Sequence, residues 1–174
     1  MIKKEILKKE ENLDVSRRMF KHACAFLDCA SFCQIEPNNI EYRMSSHTVA
    51  GIVNSAFACE VFIKSLLVYH GENFEKLNGH GLRKHWNTYK KKDREKALLV
   101  EQGIRQWFDS DNEKIFAELL KVCSNAFEQW RYIYEKSEGS VHILFLRGFA
   151  LSLRTLCCKE FYGESWDEFK GNRH

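Results

Sequence analysis

A carboxylate stands where a core residue belongs. Glu60 lies four residues after Ala56, on the apolar stripe of a helix predicted over residues 45–69. A carboxylate that faces a core must be paired or must have a shifted pKa. The candidate partners are Lys64, one turn further on, and Arg131. We therefore expect Glu60 either in a structural ion pair between helices or in a ligand or catalytic pocket.

An arginine lies between two aromatic residues in the stretch FEQWRYIYEKSEG, residues 127–139. Arg131 follows Trp130 and precedes Tyr132, and glutamates three residues before it and four after it make an intrahelical ion pair available. The flanking rings are also suited to stacking on the guanidinium or on a nucleobase. Arg131 is thus interpreted either as a structural charge or, with Trp130 and Tyr132, as part of a polar pocket near Glu60.

A basic segment with interleaved aromatic residues covers positions 83–96, RKHWNTYKKKDREK, with seven Lys or Arg against two acids. Basic side chains neutralise phosphates and aromatic faces stack on bases, so this pattern indicates a nucleic-acid surface. A solvated helix face is the alternative. The candidate nucleic-acid-binding residues are Arg83, Lys84, Trp86, Tyr89, Lys90, Lys91 and Lys92.

The composition indicates one ordinary globular domain. The chain has 174 residues, of which 44% are hydrophobic and 29% charged, and its net charge is only +3. A case for nucleic acid must therefore rest on local clustering of charge. No secretory signal is apparent at the N-terminus, and the apolar run near residues 141–153 is interrupted by Arg147 and is too short for a bilayer. A cytoplasmic location is expected.

The seven cysteines form no C-x-x-C pair and are expected to be reduced thiols that fill the core. His22, Cys29 and Cys33 lie nearly on one face of the first helix, but three ligands on one straight helix cannot converge on a tetrahedral metal. Motifs for nucleotide-phosphate loops, serine hydrolases and zinc proteases are absent from the sequence. Neither a metal nor another cofactor is predicted.

Helical periodicity extends over almost the whole chain, and few glycines and a single proline interrupt it. We predict an all-α fold, an antiparallel four- to five-helix bundle. The chain is expected to be one domain over residues 1–174, with its core at about 45–161, an N-terminal helix in 1–36 and a flexible tail at 162–174. The predicted helices cover residues 2–34, 45–69, 82–99, 114–136 and 142–161.

Three short motifs in these helices resemble the HEPN superfamily of small helical-bundle domains. They are Ala56-x-x-x-Glu60-x-x-x-Lys64 on the second helix, the turn Gly79-His80-Gly81-Leu82, and Phe127 to Tyr132 on a later helix. The resemblance spans about residues 45–160. It implies a four- or five-helix domain that is commonly a homodimer. Many members are metal-independent ribonucleases of toxin–antitoxin, phage-defence or RNA-processing systems, and others are nucleotide-binding or interaction modules.

The sequence departs from the superfamily at one chemically important place. Active members carry an Arg-x4–6-His motif, in which the histidine moves a proton from the ribose 2′-hydroxyl and the arginine stabilises the phosphorane. Here Arg131 occupies the arginine position, but the next histidine, His142, lies eleven residues further on. The pair Arg17 and His22 fits the spacing but lies on the first helix. His80 or His142 is the candidate catalytic substitute beside Arg131.

Two functions are consistent with these observations. The first is an RNA-binding protein or metal-independent endoribonuclease of a toxin or phage-defence system, with RNA and an antitoxin or other protein as partners. The alternative is a non-catalytic, homodimeric interaction or nucleotide-binding module, in which Glu60 and Arg131 serve stability. We expect a homodimer and no membrane partner in either case.

Overall fold

A computed structural model describes residues 2–33, 46–135 and 138–171, and all regular structure in these ranges is helical. The all-α prediction is confirmed. The helices are α1 (Ile2–Cys33), α2 (Ser46–Tyr69), α3 (Leu82–Lys92), α4 (Arg94–Trp107), α5 (Ile115–Cys123), α6 (Ala126–Arg131), α7 (Ile143–Tyr162) and α8 (Trp166–Gly171). Short 3-10 turns cover Phe74–Lys76 and Ile133–Glu135. The predicted end of the first helix, at residue 34, lies outside the described residues.

Helix α2 is the central element of the core. It packs along α1 and also contacts α3, α6 and α7. The segment His47–Tyr69 is apolar almost all round, and it is the one described helix that is long and apolar enough to cross a membrane. Most of this segment is buried against the other helices. An apolar circumference is what a helix needs when neighbours cover it on several sides.

The predicted helical stretch at 82–99 forms two helices that meet at Asp93. The Asp93 carboxylate accepts a hydrogen bond from the backbone N–H of Lys96 at 3.1 Å and so caps α4. An aspartate at this position satisfies one of the amide groups that the first turn of a helix leaves unpaired. The chain therefore stops one helix and starts the next within a single residue.

The long helix predicted at 114–136 is wrong, because the chain breaks at Ser124 and Asn125 into α5 and α6. Ser124 is used by another helix. Its carbonyl accepts from the N–H of Leu82 at 2.9 Å, and its Oγ accepts from the N–H of Arg83 at 3.3 Å. These bonds satisfy amide groups in the first turn of α3. The break is thus a tertiary feature that helical periodicity could not show.

The expected flexible tail contains a packed helix. Gly163 ends α7 in the left-handed conformation, with φ 74°, and α8 follows. Phe169 of α8 is buried and its ring lies 4.5 Å from that of Tyr162 and 5.7 Å from that of Phe20. Residues 172–174 lie outside the described part of the chain.

The seven cysteines form no disulfide, as the sequence predicts. Cys59, Cys123, Cys157 and Cys158 are buried. Burial raises the pKa of Cys123 to about 11, and it also raises the pKa of Cys59 and Cys157. Thiols held in this way are protonated and poorly reactive at neutral pH. These four act as small core residues.

A close contact between helices predicts opposite effects for two glycine substitutions. A Cβ atom on Gly148 would lie 1.6 Å from Cζ3 of Trp107, whereas nothing lies within 4 Å of a Cβ on Gly103. Gly148→Ala should lower the free energy of unfolding by about 1–3 kcal/mol through overpacking. Gly103→Ala should raise it by about 0.5–1 kcal/mol, because alanine is the better residue inside a helix.

Urea unfolding of both variants checks this expectation. Adding Trp107→Ala to Gly148→Ala should recover part of the loss, because the clashing ring is then gone. A Gly148→Ala protein as stable as the unsubstituted chain would contradict the packing described here.

Candidate functional site

A tight turn at residues 78–81 is the starting point of the site. Gly79 has φ 85°, a left-handed conformation that favours glycine. Its carbonyl accepts two hydrogen bonds, one from Lys64 Nζ and one from His85 Nε2, both at 3.0 Å. Gly81 then caps α3. The turn is therefore tied to α2 by a lysine and to α3 by a histidine.

The Glu60 carboxylate lies beneath this turn. Glu60 is only 1% exposed. Its Oε1 accepts from Lys64 Nζ at 2.7 Å, and its Oε2 lies 3.0 Å from Nδ1 of His80. Of the two partners considered for Glu60, Lys64 is therefore the one that the structure brings to it. The ammonium of Lys64 contacts both the buried carboxylate and the Gly79 carbonyl. One cation therefore pairs with the buried charge of Glu60 and also holds the turn in place.

The hydrogen bond to Glu60 sets the tautomer of His80. A ring nitrogen that faces a carboxylate must carry its proton, so Nδ1 is the donor. In the neutral ring Nε2 is then the basic atom. Within the described ranges no hydrogen bond engages His80 Nε2, and the side chain is 35% exposed. A carboxylate that orients a histidine whose second nitrogen faces outward is the arrangement that general-base catalysis uses.

Arg131 reaches the same place from α6 through an aromatic ring. Its Cζ lies 4.9 Å from the centroid of Phe127 and 4.5 Å from that of Tyr132, whose hydroxyl accepts from Arg131 Nη2 at 2.8 Å. The His80 ring lies 4.8 Å from the same Phe127 ring. Phe57 stacks on Phe127 at 4.8 Å and supports it. His80, which Glu60 orients, and the guanidinium of Arg131 therefore both contact the ring of Phe127.

The expected polar pocket that joins Arg131 directly to Glu60 is not what the structure shows. Arg131 is exposed and forms no ion pair with Glu60. Tyr132 is exposed beside it, whereas Trp130 is buried and packs against Gly139. A guanidinium that lies over exposed ring faces keeps its hydration and gains cation–π attraction, so burial beside Glu60 is unnecessary.

His142 has a structural role. Its Nδ1 accepts from the N–H of Phe145 at 3.1 Å and so caps α7, and its ring meets that of Phe108 edge-on at 5.3 Å. No contact in the described part of the chain joins His142 to His80 or Arg131. Of the two candidate catalytic histidines, only His80 lies with Arg131.

The two aromatic residues of the basic segment belong to the core. Trp86 is 1% exposed and Tyr89 0%. Trp86 donates its Nε1 proton to Glu101 at 3.0 Å. Their positions share the inward face of α3 with Leu82 and His85, because residues three or four apart lie on one side of a helix. Both rings are covered in this conformation, so neither can stack on a base as the sequence predicts.

The basic side chains of the segment divide into two groups. Lys90 pairs with Glu101 and Lys92 with Glu72, both at 2.6 Å. Arg83, Lys84 and Lys91 are exposed, and no ion pair within the described residues engages them. Arg83 and Lys84 directly follow the turn that carries His80. The exposed basic surface is therefore smaller than the sequence predicts, and it begins next to the turn that carries His80.

The sequence analysis did not assign Gly79, His85 or Phe127 to the site. Gly79 and Phe127 lie in motifs of the family resemblance, and the Asn-Gly pair at positions 78 and 79 is also a turn signal. His85 carries no comparable local signal. The importance of Phe127 comes from contacts with residues that are distant in the sequence.

Comparison with protein-family models, curated proteins and solved structures yields no match to this chain.

The buried state of His85 predicts a dependence of stability on pH. Burial lowers the pKa of His85 below its ordinary value. At pH values between the folded pKa and about 6.5, the unfolded chain therefore binds more protons than the folded one, and stability falls as the pH falls. The slope should reach at most about 1.4 kcal/mol per pH unit from this group.

His85→Gln is the matched variant, since its amide N–H can still donate to Gly79. The loss of stability between about pH 7 and pH 5 should be shallower in this variant, as measured by urea unfolding at fixed pH steps. Equal slopes in the two proteins would show that His85 is not the group responsible.

Proposed function

We propose that this protein binds RNA around His80 and Arg131 and cleaves it without a metal ion. The observation that carries the proposal is the shared contact of the Glu60-oriented His80 and of Arg131 with the ring of Phe127. A base with a free nitrogen and a permanent cation that contact the same ring suit an RNA phosphodiester. The 2′-hydroxyl of RNA supplies the nucleophile that such a pair requires.

The chemistry assigns one role to each group. His80 Nε2 takes the proton of the 2′-hydroxyl, and the freed oxygen attacks the adjacent phosphorus. The bond from phosphorus to the 5′ oxygen breaks, and this oxygen leaves with a proton from solvent water, so the products are a cyclic 2′,3′-phosphate and a 5′-hydroxyl. Arg131 stabilises the charge that develops on the phosphorane. Glu60 stabilises the imidazolium that forms at His80.

The exposed cations of α3 supply the affinity for RNA. Arg83, Lys84 and Lys91 neutralise phosphates along the strand, a contribution that weakens as salt rises. Tyr132, exposed beside Arg131, is the aromatic side chain best placed to stack on a base. Binding is therefore carried by a few charges and one ring rather than by the whole basic segment.

We also propose that the chain is a HEPN-like domain, an antiparallel four- to five-helix bundle located in the cytoplasm. It would act in a toxin–antitoxin or phage-defence system, with a protein antitoxin as a further partner. The support for this proposal is the all-helical structure together with the three motifs of the resemblance. The Gly79 to Leu82 motif forms the turn that carries His80, and Glu60 and Lys64 lie under it.

RNA cleavage in EDTA tests the proposed activity. The unsubstituted chain should cut a labelled structured RNA, and His80→Asn should reduce the rate by about 10²–10⁴-fold because the base is lost. Arg131→Ala should reduce it by about 10²–10³-fold. Arg131 is exposed, and asparagine at position 80 keeps an N–H group that can donate to Glu60, so both variants should keep their melting temperatures within a few degrees.

His142→Asn is the matched control, because asparagine preserves the cap of α7 while a histidine is removed. It should cleave at the rate of the unsubstituted chain. Cleavage that survives in His80→Asn, or that is lost in His142→Asn, would contradict the assignment. Salt-sensitive RNA binding without any cleavage would leave only the binding function.

A second candidate, a non-catalytic homodimeric interaction module, is favoured by one exposed apolar surface. Trp107 is 50% exposed and its ring lies on Gly148, and Leu144, one turn before Gly148 on α7, is 57% exposed. Two large apolar side chains next to each other are more than scattered surface residues. A second copy of the chain is the occupant that we propose for this surface.

Light scattering tests the dimer. The unsubstituted chain should have about twice the 20.5 kDa mass of one copy. Leu144→Lys should be monomeric with an unchanged helical spectrum, since it places a charge in the interface. A monomer before any substitution, or a dimer that Leu144→Lys leaves intact, would rule out this surface.

A further inference from the structure

A second group of titratable side chains lies apart from the His80 site. His70 follows the end of α2, Asp93 joins α3 to α4, and Glu160 lies on α7. One potential ligand atom from each of the three lies within 4.8 Å of the other two. Residues from three separate parts of the chain thus converge on one point.

Lys96 now occupies part of this group. Its Nζ lies 3.0 Å from Oδ2 of Asp93 and 2.7 Å from Oε1 of Glu160. The other nearby ammonium, that of Lys92, is paired with Glu72. Two carboxylates therefore face one ammonium, and the group keeps a net negative charge.

Two buried polar atoms, one in the group and one on the ring beside it, lack a partner in the described part of the chain. They are Nε2 of His70 and the hydroxyl of Tyr89, a residue that is fully buried. The His70 and Tyr89 rings lie 5.7 Å apart. A buried polar atom without a partner is costly unless something else binds there.

We propose that His70, Asp93 and Glu160 form a binding site for a divalent transition metal, with Zn²⁺ as the best fit. One imidazole and two carboxylates are ligands that Zn²⁺ accepts, and three protein ligands leave a fourth position for water. The Tyr89 hydroxyl is the group available to that water. The three ligand atoms need to close to separations of about 3.4 Å in a tetrahedral site.

The ion displaces Lys96. A dication carries twice the charge of an ammonium and also gains the imidazole as a ligand, which Lys96 cannot use. The Lys96 side chain is partly exposed already and can turn to solvent. The site would tie α2, the α3–α4 junction and α7 together. It shares no residue with the proposed RNA site, so the test of metal binding is independent of the test of RNA cleavage.

Calorimetric titration of the EDTA-treated, dialysed protein with Zn²⁺ tests the inference. One ion per chain should bind. Asp93→Asn, which keeps the helix cap, and Glu160→Gln should each weaken binding by about tenfold or more through loss of a charged ligand. Lys96→Met should tighten it, because the competing ammonium is gone. Circular dichroism of each metal-free variant confirms that it is folded.

Co²⁺ distinguishes this site from the seven cysteines. Bound Co²⁺ should give d–d bands without the intense near-ultraviolet band of thiolate ligation. Absence of Zn²⁺ binding by the unsubstituted chain would overturn the proposal, even if Lys96→Met gained it. Binding that neither Asp93→Asn nor Glu160→Gln weakens, or a thiolate band with Co²⁺, would overturn it as well.

Discussion

The burial of the Glu60 carboxylate is the constraint on which the candidate site depends. A charge removed from water inside a helical core must have partners, because its isolated burial costs many kcal/mol. Lys64 supplies one from the next turn of the same helix, and His80 supplies the other from the turn above. Glu60 is thereby paired both within α2 and with the turn that precedes α3, and these contacts hold that turn against α2.

Several features follow from the position of that turn. Lys64 and His85 hold the Gly79 carbonyl, and α3 begins two residues later against Ser124. The use of Ser124 to cap α3 coincides with the break between α5 and α6. The second of these helices carries Phe127 and Arg131 to the side of His80. The geometry of the site is thus a chain of hydrogen bonds and ring contacts that starts at Glu60.

The sequence predicted the parts of this arrangement that are local. Periodicity identified the helices, and the position of Glu60 on an apolar face identified a buried carboxylate with Lys64 as a partner. The break at Ser124 was missed because helical periodicity continues across it, although Ser124 and Asn125 are residue types that favour helix caps and Asn125 is the N-cap of α6. Trp86 and Tyr89 were assigned to a binding surface from composition, although their spacing from Leu82 is also that of a core face.

Arg131 shows where sequence reasoning and structure diverge most. Of the two flanking aromatic residues, Tyr132 lies under the guanidinium whereas Trp130 is buried, and the ring shared with His80 lies four residues earlier, at Phe127. The link from Arg131 to Glu60 passes through that ring and through His80. The two intermediates lie on α6 and in the turn before α3, far apart in the sequence, so this link leaves no pattern in a single sequence.

The tautomer of His80 decides whether Glu60 orients this ring as a base. Long-range ¹H–¹⁵N correlation spectra of the neutral ring report which nitrogen carries the proton. We expect a proton on Nδ1, held by Glu60, and an unprotonated Nε2. A proton on Nε2, or a rapidly exchanging mixture of the two tautomers, would contradict the claim that Glu60 orients His80 as a base.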